Sequence, residues 1–277
     1  MLTTEQLTGW NRDGFLVLPD LYSASEISAL RTRMAEMIDD FDPATVSTVF
    51  STTEETHAQD QYFLSSGGAT RFFFEAGALD QNGVLQVPKT EALNKVGHAM
   101  HDLDPVFSTF SRAPQIAELV ADLGMADALV LQSMYIFKQP RIGGEVHWHC
   151  DHSFLWTEPQ SVVGLWVALE DATQENGCLW AVPGGHVLPA KNRFRRDGDG
   201  TRMEVFDESP YDTSQAVPLE VKAGTVIVLH GTLPHASAPN TSDKSRHAYT
   251  LHILDSSADY PADNWLQRPA EMPLRSF

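Results

Sequence analysis

The spacing of apolar positions changes character once along the chain, at about Gly124. Before that point, over residues 1–124, the pattern is mostly helical. Ser23 and Glu26 form a capping-box pair, and Ile27, Leu30, Met34 and Ile38 follow at the three- and four-residue intervals of one helix face. Similar spacing at Leu93, Val96 and Met100 predicts a second helix over Glu91–Leu103, and a third over Pro114–Leu123 stops at Gly124. One short apolar run interrupts the helices. Phe15–Leu18, preceded by Asp13-Gly14 and closed by Pro19, reads as a strand.

Beyond Gly124 the apolar runs become short. Leu129–Phe137, Val162–Leu169, Cys178–Val182, Val217–Val221, Thr225–His230 and His247–Leu254 read as strands, separated by turn residues at Pro140, Gly143-Gly144, Asn176-Gly177, Pro183-Gly184-Gly185 and Ala223-Gly224. Many short strands after a helical segment predict a mainly β fold with flanking helices, a double-sheet jelly roll over residues 125–277 within a single domain of 277 residues. The polar stretch Pro189–Gln215 lacks periodicity and is expected to be a long loop between barrel strands, in the place of a lid.

Composition narrows the function. A 42% apolar, 20% charged chain is ordinary for a globular protein, but the net charge of −18 repels phosphate backbones and argues against nucleic-acid binding. No apolar run approaches a membrane span, no secretory pattern opens the chain, and it does not end in the peroxisomal tripeptide. Two cysteines, Cys150 and Cys178, make no disulfide framework. A cytoplasmic protein without a membrane partner is the expectation.

The candidate chemistry centres on His147-Trp148-His149-Cys150-Asp151. On a strand, residues i and i+2 share a face, so His149 and Asp151 can reach one ion, while Cys150 points the other way into packing. His235, after a predicted strand and a Gly231 turn, is the candidate third ligand. Two imidazoles and a carboxylate on one face of an octahedron leave open positions suited to non-haem iron(II). Spacing alone also permits His147 and His149 as the strand pair. Arg246, eleven residues after His235, offers a planar fork that can grip a carboxylate.

Other features have more ordinary readings. His186 sits in a tight turn, and Asn176-Gly177 looks like a hairpin turn. Phe72, Phe73 and Phe74 are core or pocket wall. Lys191, Arg193, Arg195, Arg196 and Arg202 form a basic cluster, read first as a solvated loop and second as a mouth for an anionic substrate.

Several stretches together resemble the phytanoyl-CoA dioxygenase family over nearly the whole chain. They are Asn11-Arg-Asp-Gly-Phe-Leu-Val, Tyr62-Phe-Leu-Ser-Ser, Arg71-Phe-Phe-Phe-Glu, Leu93-Asn-Lys, Met134-Tyr-Ile-Phe-Lys-Gln-Pro and Gly144-Glu-Val. Ser153-Phe-Leu-Trp-Thr-Glu-Pro, the run from Glu170 to Trp180, Pro183-Gly-Gly-His and Asn264-Trp-Leu-Gln continue the series. The resemblance implies a cupin-like double-stranded β-helix and an oxygenase using iron(II), 2-oxoglutarate and O2. It implies His149, Asp151 and His235 as iron ligands, and Arg246 with Ser237 on the distal carboxylate of 2-oxoglutarate. Lys95, Met134 and Trp166 would line the co-substrate pocket, although Lys95 on an amphipathic helix would by itself read as solvated.

The expected activity is hydroxylation of an unactivated carbon in a small organic or acyl substrate, with release of succinate and CO2. Desaturation or ring chemistry could use the same centre, whereas Asp151 disfavours halogenation. A competing class is a non-catalytic metal-binding or sensor protein on the same barrel. A zinc hydrolase using His147, His149 and His235 lacks an obvious general-base motif.

Overall fold

The computed structural model describes residues 1–46 and 61–277. Its helices are α1 (Thr4–Asp13), α2 (Ala24–Asp40), α3 (Gln61–Leu64), α4 (Met100–Leu103), α5 (Pro105–Ser111) and α6 (Pro114–Asp122). Its strands are β1 (Phe15–Leu18), β2 (Thr70–Phe74), β3 (Leu93–His98), β4 (Ala128–Ile136), β5 (Val146–His149), β6 (Val163–Ala168) and β7 (Leu179–Ala181). They continue with β8 (Asn192–Asp197), β9 (Gly200–Val205), β10 (Val217–Leu219), β11 (Val226–His230), β12 (His235–Ser237) and β13 (Ala248–Asp255).

Helix α2 forms as its sequence requires. Ser23 and Glu26 cap its first turn reciprocally, and Ile27, Leu30, Met34 and Ile38 are its buried face. A seven-stranded antiparallel sheet runs β1-β11-β6-β13-β4-β3-β2, and a four-stranded sheet runs β10-β7-β12-β5. One face of the large sheet carries Leu165, Val167, Val228, Tyr249, Leu251 and Ile253 into a core shared with α2, α5 and α6. The other face sends Trp166, Ala168, Ile227, Leu229 and Ala248 against Leu179, Ala181 and Leu219 of the small sheet. This is the jelly roll with outside helices that the strand pattern predicts. No described helix is long and apolar enough to cross a membrane.

Two expectations need correction. The helix expected over Glu91–Leu103 is instead β3 followed by the single turn α4. Leu93, Val96 and Met100 are all buried, as the spacing implied. However, β3 is paired on both sides, by β2 and β4, and enclosed on both faces. A strand buried twice loses the period-two signal, and Gly97 within the run is a poor helix former. The N-terminal part therefore supplies β1, β2 and β3 to the large sheet as well as helices. The stretch Pro189–Gln215 is also not a bare loop, since β8 and β9 pair within it as an antiparallel hairpin. Both strands are largely half-exposed and carry mixed charge, which left no alternation to read.

Candidate active site

The sheet register brings the metal candidates together. His149 ends β5 directly opposite His235 at the start of β12. Asp151 lies two residues beyond the end of β5 and opens a short 3-10 turn that reaches Ser153. The donor atoms of His149, Asp151 and His235 all lie within 4.8 Å of one another. His149 Nε2 is 3.9 Å and His235 Nε2 3.7 Å from Asp151 Oδ1. His147 is exposed and faces Glu145 instead, which removes it as a ligand.

The imidazoles are set in the right tautomer. His149 Nδ1 bonds the carbonyl of His147 at 2.8 Å, and His235 Nδ1 bonds the carbonyl of Leu233 at 3.0 Å. A carbonyl can only accept, so both Nδ1 atoms carry a proton, and Nε2 is the ring atom turned toward the carboxylate and available to a metal. Enclosure and the neighbouring His235 bring the His149 imidazole down to about 4, so it is neutral at physiological pH. Burial opposes ionisation of Asp151, but His252, His235 and His149 outweigh it and hold the carboxyl well below its ordinary range. Two imidazoles and one carboxylate fit a facial set for a divalent metal.

Arg246 stands at the approach to β13 and is 2% exposed. Its Nε donates to the carbonyl of Gly177 at 3.1 Å, and its Nη2 approaches Ser237 Oγ at 3.5 Å. Ser237 Oγ donates to that same carbonyl at 2.9 Å. The guanidinium lies over the Trp166 ring, 5.1 Å from its centroid. Its Nη1 is buried without a partner. Among the described residues no carboxylate pairs with this cation, and burial lowers its pKa to about 10. A buried guanidinium with a free prong is suited to an incoming carboxylate.

The large sheet links the two groups. Trp166, Thr250 and Met134 are direct cross-strand partners, and so are Gly164, His252 and Gln132 two residues along. The first row carries the ring beneath Arg246; the second lies under Asp151, where His252 Nε2 is 3.2 Å from Oδ1. Two strand residues span about 7 Å. Lys95 is buried in β3, with its ammonium 5.6 Å from the Phe73 ring, and burial brings it down to about 7.

Sequence reading missed His252, Gln132, Gly164 and the carbonyl of Gly177. The signals were present, because a glycine or a polar residue inside an otherwise apolar central strand marks a close approach or a polar role. A Cβ at Gly164 would lie 2.7 Å from Asp151 Oδ2.

The remaining candidates take structural places. Cys150 is buried with Sγ 3.1 Å from Ser153 Oγ, and its thiol is pushed up by burial. The His186 carbonyl accepts from Thr232 Oγ1 at 2.7 Å, and its ring packs 5.0 Å from that of His230. The basic cluster is matched internally. Lys191 pairs with Asp207, Arg193 and Arg195 with Asp263, and Arg202 with Asp197, while Arg196 donates to the carbonyls of Trp265 and Leu64. The hairpin itself packs against the turn carrying Asp151, with Phe194 5.6 Å from Phe154 and Arg193 over Trp156.

Residues 10–248 match the family model described as phytanoyl-CoA dioxygenase. The chain is 47% identical over 273 residues to a phytanoyl-CoA dioxygenase of Arabidopsis thaliana, covering 98% of this chain and 95% of the relative. It is 44% identical over 288 residues to phytanoyl-CoA dioxygenase domain-containing protein 1 of Danio rerio, covering 100% and 99%. Among solved structures it is similar in fold to the non-heme alpha ketoglutarate dependent carbocyclase SnoK from nogalamycin biosynthesis, with a TM-score of 0.67, 18% identity and coverage of 99% and 97%. It is also similar to EvdO2 from Micromonospora carbonacea var. aurantiaca complexed with 2-oxoglutarate, with a TM-score of 0.60, 22% identity and coverage of 96% and 98%.

Proposed function

We infer the chemistry of this chain from one premise: it belongs to the phytanoyl-CoA dioxygenase family. It is an iron- and 2-oxoglutarate-dependent oxygenase, and its reaction is the hydroxylation of an unactivated carbon in a small organic or acyl molecule. The observation that carries this reading is the pairing of a His-Asp-His trio with a buried guanidinium that has no carboxylate partner among the described residues.

His149, Asp151 and His235 would hold the iron, the two imidazoles and the carboxylate being its ligands. Arg246 grips the distal carboxylate of 2-oxoglutarate with its free Nη1 edge, and Ser237 keeps that fork in plane through the shared Gly177 carbonyl. Trp166 and Met134 form the floor beneath the co-substrate, and Lys95 supplies a second cation at its edge. Iron(II) held there would supply the oxidising chemistry, with O2 and 2-oxoglutarate consumed, succinate and CO2 released and a C–H bond of the primary substrate hydroxylated. The hairpin β8–β9 and the rest of 189–215 act as the lid that keeps water from the reacting carbon.

Anaerobic titration of Fe(II)-loaded protein with 2-oxoglutarate, followed by succinate release in air against a metabolite library, tests this. The expected result is saturable 2-oxoglutarate binding in the wild type and substrate-stimulated succinate with a hydroxylated product. Wild-type binding to Fe(II) without any succinate under every substrate would favour a sensor on the same barrel.

A further inference from the structure

We propose that His252 is a positioning residue for the metal-binding carboxylate, holding Asp151 through an imidazole whose proton is placed by Gln132. The inference rests on the metal-site reading above. Its Nε2 lies 3.2 Å from Asp151 Oδ1, nearer than either ligand imidazole. Yet His252 is not part of the trio whose donor atoms come within 4.8 Å of one another. The residue therefore contacts the carboxylate without joining the donor set.

The direction of the hydrogen bonds follows from Gln132. Its amide Nε2 is 3.0 Å from His252 Nδ1, and an amide NH2 only donates. His252 Nδ1 must then accept, which leaves the ring proton on Nε2, facing Asp151. An ionised carboxylate only accepts, and each oxygen has two lone pairs, so Oδ1 can take this N–H and still bind a metal. The chain Gln132 to His252 to Asp151 runs one way and each contact has one donor and one acceptor.

The fold fixes this chain in place. Gln132, His252 and Gly164 face one another across β4, β13 and β6. Both polar side chains are buried. Gly164 leaves space for the other carboxylate oxygen, since a Cβ there would come within 2.7 Å of Oδ2. Asp151 follows the end of β5 and sits on a short turn, so its side chain is not held by a sheet ladder of its own. The His252 N–H and the Gly164 gap set the carboxylate's angle before a metal arrives. Loss of such an outer partner typically weakens metal affinity by about 10–100-fold.

Co(II) binding to protein free of 2-oxoglutarate tests this without turnover. His252→Phe keeps ring volume and removes the N–H, while His252→Gln returns an amide donor near the Nε2 position. The expected result is a Co(II) Kd raised about 10–100-fold in His252→Phe with altered visible d–d bands, and recovery of most of the affinity and the spectrum in His252→Gln. Gln132→Leu should weaken Co(II) in the same direction, by less, because the ring is then free to present a lone pair to Asp151. Metal-free thermal melts confirm that each variant is folded. A folded His252→Phe with wild-type Co(II) affinity overturns the inference alone, as do equally weak Phe and Gln variants with unchanged melts. Should His252→Phe fail to fold, a Gln132→Leu protein with wild-type affinity and spectrum overturns it. Wild-type protein that takes up no Co(II) overturns the metal-site reading itself, and this inference with it.

Discussion

Replacing Arg246 with Met should separate the stability of this protein from its co-substrate binding, with opposite signs. The guanidinium is enclosed, lies on Trp166 and has no carboxylate partner among the described residues. Its fall from the ordinary guanidinium value to about 10, at about 1.4 kcal/mol per tenfold, corresponds to a burial cost on the order of 3 kcal/mol. Against that stand the hydrogen bond to Gly177 O, with a long contact to Ser237 Oγ at 3.5 Å and the Trp166 ring beneath. The bond contributes about 1.5–3 kcal/mol, and the Gly177 carbonyl keeps Ser237 Oγ as a donor, so it is not orphaned. Methionine fills much of the same channel without a charge. Arg246→Met should therefore be no less stable than wild type without ligand, and up to about 2 kcal/mol more stable, since exchanging a buried ion for a packed apolar group is often neutral or stabilising. With 2-oxoglutarate the order should reverse. At a hundred times its Kd the ligand stabilises wild type by about 2.7 kcal/mol, which for a chain of this size is on the order of 5 °C in Tm; the variant should show no such shift. The assay is a thermal melt with Fe(II) replaced by Co(II) or Mn(II) to prevent turnover, with and without 2-oxoglutarate. A wild-type-sized ligand shift in Arg246→Met, or a ligand-free loss above about 2 kcal/mol, would show that Arg246 is a structural ion and that another group holds the carboxylate.

Alanine at His149, Asp151 or His235 should abolish iron-dependent 2-oxoglutarate turnover with the fold intact by circular dichroism, and a fully active His235→Ala protein would sink the ligand assignment. Gly164→Ala adds a Cβ 2.7 Å from Asp151 Oδ2, so the carboxylate must shift by about half an ångström, the tolerance of a preorganised site. The expected result is about tenfold weaker Co(II) binding by titration, with a stability loss of about 1–3 kcal/mol from overpacking. Lys95→Met should stabilise the ligand-free protein by about 2–4 kcal/mol at pH 6 and by much less at pH 10. Burial lowers the folded ammonium to about 7, so from there to the ordinary lysine value the unfolded chain binds more protons and wild-type stability rises with pH. Urea melts across that range check it, and a pH-independent difference between the two proteins would contradict the burial argument.

Much of the site was legible because it is carried by local spacing. His149 and Asp151 are two apart, and a helix such as α2 announces itself through one capped, amphipathic face. Arg246 could be read as a carboxylate fork from its chemistry and its distance from His235, and the family resemblance added Ser237, Met134, Trp166 and Lys95. The element around Lys95 was not legible, because β3 is paired by two neighbours and buried on both faces, so polar and apolar positions there answer to the site and the core at once. Likewise the hairpin β8–β9 escaped, since its strands bury no continuous apolar face and its basic residues are spent on ion pairs and carbonyls within the fold.

What spacing could not supply is register across strands far apart in sequence. Gln132, Gly164 and His252 come from three strands, and each alone looks like an imperfection in an apolar run. Only the pairing of β4 with β13 and of β13 with β6 turns them into one row beneath Asp151. The same holds for Gly177, whose positive φ of 85° marks a turn, while its carbonyl gathers Ser237 and Arg246 from sixty and sixty-nine residues away. In this protein the ligand atoms stand on strand ends and a short turn, and the groups that aim them stand in the middle of the large sheet. That division has a physical reason. A carboxylate on a short turn gains little orientation from its own backbone, whereas a central strand is fixed on both sides and can lend its rigidity through a single imidazole. The polar residues embedded in central strands are therefore where the precision of this site is set.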